Sequence, residues 1–100
     1  METFVIETFL PLVGNEFLIR GSENTSLPIV LVRADSLANG QANYPAWVRR
    51  PFSLLFRGPL NPELSQGLYP LEHRALEPNW YFLVPVERKE DGMYYEAVFN

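Results

Sequence analysis

The chain has 100 residues, 47% of them apolar and 14% aromatic, with a formal net charge of −4 and no cysteine. That length suits one domain with a modest core, and the apolar fraction excludes a disordered chain. Without cysteine there are no disulfides, no thiolate catalysis and no cysteine-based zinc or iron–sulfur site.

Charge is uneven along the chain. Residues 1–58 carry five basic and five acidic groups, and residues 59–100 carry three basic and seven acidic groups. This balance provides no general attraction to nucleic acid or anionic lipid. No run approaches the ~20 apolar residues that a spanning helix needs, and no basic segment followed by an apolar run suggests a leader peptide. A cytoplasmic protein with no membrane partner is the expectation. The seven Phe, five Tyr and two Trp favour strands, and the nine prolines oppose long helices.

In chain order, residues 4–13 are apolar without a clean period. A short helix ending near Gly14, with Pro11 in its first turn, and an extended lead-in both fit. Glu16–Arg20 reads as a strand with Phe17 and Ile19 on one face. Residues 21–26 form a turn cluster, and Leu27–Arg33 is a β-branched strand with Pro28 at its start. Residues 34–48 read as a long irregular loop interrupted by Tyr44, Pro45 and Trp47. A loop of that length in a small domain is usually either functional or mobile.

Pro51–Arg57 is the most self-contained strand. Phe52, Leu54 and Phe56 share a core face, and Ser53, Leu55 and Arg57 share a mixed one. A proline-rich connection over residues 58–63 follows. Leu68–Arg74 places Tyr69, Leu71 and His73 on one face, and its Pro70 marks either an edge strand or a bulge. Glu77-Pro78-Asn79 reads as a turn and Trp80–Glu87 as an apolar strand. Asp91-Gly92 is a hairpin signal leading into the strand Met93–Phe99. The sum is an all-β domain spanning residues 1–100: a small antiparallel barrel or sandwich of about six strands, with at most one or two short helical turns.

Four stretches carry a resemblance: Arg50-Pro51-Phe52-Ser53-Leu54-Leu55-Phe56-Arg57-Gly58-Pro59, Leu64–His73, Phe82–Val86 and Tyr95–Asn100. Together they resemble a family of small uncharacterised bacterial domains, a domain of unknown function, encoded near phage-tail collar-type proteins of the microcystin-dependent kind. The resemblance implies a compact domain with a structural role in a tail-like assembly. It implies no catalytic residues.

The chemistry-bearing residues are few. His73 is the single histidine, and its neighbours Glu72 and Arg74 point to the other strand face, so no dyad follows from adjacency. With one histidine and no cysteine, only carboxylates remain as metal ligands, and Glu90-Asp91 lacks EF-hand spacing. Ser53 is mid-strand, not on a nucleophile elbow. The six glycines are scattered and form no phosphate loop. Arg49, Arg50 and Arg57 flank Phe52 and Phe56, but the aromatics fall on the core face, unlike a nucleic-acid platform.

The expectation is therefore a non-enzymatic structural or protein-interaction module, without catalytic, cofactor or metal residues. It would contact a protein partner, or further copies of itself, through Tyr44, Pro45 and Trp47. If the strand Tyr94–Phe99 lies at a sheet edge, it would offer a second contact by strand addition; an interior strand or a protected edge is the competing reading. Trp47 serves equally well as a lid over one barrel end. The alternative is a small barrel binding an apolar ligand, with Tyr69, His73, Trp80 and Tyr95 as pocket liners. If Trp47 is a contact residue, Trp47→Ala leaves the thermal midpoint unchanged and weakens partner binding measured by titration calorimetry.

Overall fold

A computed structural model describes residues 4–21, 25–37 and 50–100. The chain forms a short helix α1 (Ile6–Phe9), a 3-10 turn (Leu10–Leu12) and six strands. The strands are β1 (Glu16–Arg20), β2 (Ser26–Ser36), β3 (Phe52–Gly58), β4 (Gly67–His73), β5 (Leu76–Lys89) and β6 (Gly92–Phe99). They close into a barrel in the order β1-β2-β3-β6-β5-β4, with every pair antiparallel. The six-stranded all-β expectation is met, as a barrel rather than a sandwich. Tyr44, Pro45 and Trp47 lie outside the described residues.

Period-2 alternation explains the core. Phe17 and Ile19, Ile29 and Leu31, Phe52, Leu54 and Phe56, Leu71, Tyr81 and Leu83, and Met93, Tyr95 and Ala97 are all buried. Three bulges keep this phase where the register would lose it. In β2, Leu31 pairs with Phe56 and Arg33 with Leu55, so Val32 is the extra residue. The shift lets Ala34 meet Leu54, and pairing continues to Ser36 opposite Phe52. Strand β2 therefore runs into the region expected to begin a loop at residue 34.

One further expectation is corrected. Glu77-Pro78-Asn79 is not a turn: these residues belong to β5, and the reversal falls at Arg74-Ala75. The register slips between Leu71 and His73, which gives Pro78 an irregular stretch of ladder to occupy. Pro70 itself is in regular register opposite Trp80, one residue before the slip and just outside the two-pair ladder to β1, so it marks neither an edge strand nor the bulge itself. Of the two readings of the strand ending at Phe99, the interior one holds, because β6 pairs with β3 on one side and with β5 on the other. Barrel closure removes the edge that strand addition requires.

The lead-in takes its helical form and plugs one end of the barrel. Pro11 sits in the first turn of the 3-10 segment, where its missing N–H costs nothing. Gly14 then adopts φ 93°, a conformation that side chains disfavour. Its N–H bonds the Leu31 carbonyl at 2.7 Å, and the Leu31 N–H returns to Asn15 at 3.0 Å. These bonds hold the plug against β2. Phe4 and Phe9 are buried, 5.3 Å apart edge-to-face. Phe9 also meets Phe52 at 5.8 Å, and Phe52 stacks on Phe99 at 4.8 Å and 4°. Such ring pairs add to the area they bury.

The other end is covered by residues 59–66. Leu64 packs on the core, and its N–H donates to Tyr95 Oη at 2.8 Å. The Tyr69 hydroxyl donates to the Ser65 carbonyl at 2.6 Å. Gly92 is required at the β5–β6 hairpin, because a Cβ there would strike the Gly58 carbonyl oxygen.

Leu54 is fully buried at the centre of this interior. Leu54→Ala is expected to cost ~2–5 kcal/mol in urea unfolding without changing the slope.

Candidate functional site

The outward phase of β4 and β5 is unusually apolar. Inward Tyr81 and Leu83 leave Trp80 and Phe82 pointing out, and inward Leu71 leaves Leu68 and Pro70 out. The register places Leu68 opposite Phe82 and Pro70 opposite Trp80. Directly opposed side chains of a pair touch, so these four residues form one patch. Trp80 is 62% exposed, Leu68 61% and Phe82 46%. Half-buried Val84 extends the row along β5, and Val98 adds an exposed apolar side chain on β6. Antiparallel sheets usually turn polar residues to solvent, so a contiguous patch of this kind marks an interaction surface.

The rim of the patch is acidic. Glu96 is the register partner of Val84, and Glu77 lies three residues before Trp80. Glu72, two residues beyond Pro70, is paired with Arg20 at 2.8 Å.

The four expected pocket liners do not converge. Tyr95 is buried, and burial pushes its phenol pKa up. Tyr69 stands near it, where the 59–66 connection covers the barrel. His73 is at the opposite end of β4, beside Asn15. Trp80 is on the outside. Rings fill the space between the ends: Phe17 meets Phe56 at 5.3 Å, and Phe56 meets Tyr81 at 6.4 Å.

The apolar patch itself was legible in outline. Both phases of Trp80–Val84 are apolar, and a small barrel can bury only one of them.

His73 is held by two bonds. Its Nδ1 accepts the Ala75 N–H at 3.0 Å, so the neutral ring carries its proton on Nε2, which donates to Asn15 Oδ1 at 3.0 Å. The ring also packs on Phe17, centroids 4.8 Å apart. This arrangement clamps the start of β1 to the β4–β5 turn and engages both nitrogens. Burial, then the charge of Arg74, holds its pKa below 6.5. Among the described residues no three His, Cys, Asp or Glu side chains converge as metal ligands. Ser53 is buried in mid-strand, opposite Asp35 and Val98.

Two surface clefts flank the closing seam between β1 and β4. That seam has only two register pairs, Leu18–Glu72 and Ile19–Leu71. A mixed cleft of about 460 Å³ lies at the His73 end, lined by Asn15, Glu16, Leu18, Glu72, Arg74 and Pro78 among others. A mainly apolar cleft of about 430 Å³ lies at the other end, lined by Ile19, Arg20, Leu27, Pro62, Leu64 and Tyr69 among others. No described helix is long and apolar enough to cross a membrane.

The His73 clamp has a pH signature. Its folded pKa lies below the unfolded value, so the unfolded chain binds more protons as pH drops. The clamp's contribution is complete above pH 6.5 and is lost as pH falls below it. The urea midpoint is expected to drop modestly in that window, ahead of carboxylate titration. His73→Gln, which lacks a titrating ring, flattens this step.

No curated protein and no solved structure matches the chain. One family model, described as a domain of unknown function (DUF6916), matches residues 4–99. The match takes in the α1 plug and all six strands, and the chain belongs to the DUF6916 family.

Proposed function

We propose that this domain is a non-enzymatic interaction module that docks a protein partner on the outer face of β4 and β5. The observation that carries the reading is the exposure of Trp80, Leu68 and Phe82 on one face of a barrel whose interior is already full. Aromatic anchors at the centre of a patch supply most of the binding energy in protein interfaces. The occupant is a partner with an apolar centre and a basic rim. Glu96 and Glu77 favour such a rim, whereas a second copy would bring the same carboxylates against themselves. The setting is a larger assembly, of the phage-tail-like kind that the sequence resemblance implies.

Surface substitutions at these positions leave stability within ~0.5 kcal/mol. The double variant Trp80→Ser, Phe82→Ser is therefore expected to keep the wild-type urea midpoint. Size-exclusion chromatography with light scattering reads the outcome, on the chain alone and with the product of the adjacent gene. The wild type is expected to run as a monomer alone and to co-elute with that product, while the variant fails to co-elute. Co-elution that survives the double substitution overturns the face. Self-association abolished by the substitution replaces the partner with a second copy.

A further inference from the structure

We infer that the apolar cleft at the Arg20 end of the β1–β4 seam binds a short aliphatic carboxylate, at a site separate from the β4–β5 face. The cleft follows from the topology. β4 is joined to β1 only through Leu71 and Glu72, and beyond Ile19 the two strands are no longer paired. Arg20 leaves toward β2, where it pairs with Ser26, and β4 continues to Gly67 beneath the 59–66 connection. The gap is floored by Ile19, Leu27 and Leu64, which pack with the barrel core, and walled by Pro62 and Tyr69. At about 430 Å³ it has the size of a small-molecule site.

The walls are fixed before any ligand arrives. Tyr69 Oη holds the Ser65 carbonyl at 2.6 Å, and Tyr95 Oη holds the Leu64 N–H at 2.8 Å. The Gly21 N–H closes the hairpin base on the Thr25 carbonyl at 2.9 Å. A preformed site loses less ordering entropy on binding.

Charge selects the ligand class. Among the described residues lining this cleft, Arg20 is the single charged one. Its carboxylate partner Glu72 lines the other cleft. Glu72 takes the Nε edge of the guanidinium at 2.8 Å, and a guanidinium has further donors on its terminal nitrogens. These suit a carboxylate, while the apolar floor suits an alkyl chain. The cleft at the His73 end mixes Glu16 and Glu72 with Arg74 and offers no comparable selection.

The test titrates the ¹⁵N-labelled chain with octanoate and with octanamide, its neutral match. Both are expected to shift the amides of Ile19, Leu27, Leu64 and Tyr69 saturably, with octanoate about fivefold tighter, as one partly exposed ion pair would provide. Arg20→Gln is expected to erase the preference while leaving octanamide binding intact. Glu72→Gln, which frees the guanidinium, is expected to widen it. A preference that survives Arg20→Gln, equal affinities in the wild type, shifts centred on Trp80 and Phe82, or no saturable shift with octanoate each overturns the inference.

Discussion

A six-stranded barrel has interior room for only one of the two phases of its strands. That constraint organises the molecule. Phe52, Leu54 and Phe56 take the interior from β3, and their register partners Ala97, Tyr95, Ala34 and Leu31 must point the same way. The bulges at Val32 and before Glu87 preserve this phase over strands too long and too bent to hold a single register. Once the interior is full, everything apolar in the other phase must face solvent or a partner. Trp80 and Phe82 are in that position because Tyr81 and Leu83 are inside.

Closure also decides how the ends are treated. Strand pairing is complete around most of the ring, but the β1–β4 seam has two register pairs where β3–β6 has seven. The seam is reinforced from outside the ladder, by the His73–Asn15 bond on one side and the Arg20–Glu72 ion pair on the other. Where it parts, clefts open. At one end of the barrel the aromatic plug of Phe4 and Phe9 completes the core; at the other, Leu64 does so. His73, the residue with the most obvious chemical potential in the sequence, thus serves to hold a seam.

Much of the fold was legible from local pattern. Glu16–Arg20 has its predicted bounds, and the Phe52, Leu54, Phe56 face is the core because strict alternation between proline and glycine boundaries leaves little ambiguity. A hairpin near Asp91-Gly92 also followed from turn chemistry, although the turn itself falls one residue earlier, at Glu90-Asp91, with Gly92 already paired with Lys89. The failures lie where tertiary pairing overrode a local signal. Pro78 reads as a turn residue, yet a register slip against β4 keeps it in a 14-residue strand. Ala34-Asp35-Ser36 reads as loop, yet β3 supplies Leu54, Ser53 and Phe52 as partners. The candidate sites were less legible. Tyr69, His73, Trp80 and Tyr95 share a β-rich stretch, but which end or face each reaches depends on closure, not on spacing.

By itself the sequence determined an all-β domain of about six strands, the residues of its core, and a chemistry without cysteine and with one histidine. These are properties of composition and of periods within single strands, which short-range sterics and burial settle. Only the tertiary structure decided that β6 has no edge, that His73 joins β1 to the β4–β5 turn, and that the second apolar phase of β4 and β5 faces outward beside an acidic rim. Each of these depends on which strands are neighbours. Neighbours are chosen by closing the ring and filling its single interior, a requirement on all six strands together that no one segment encodes.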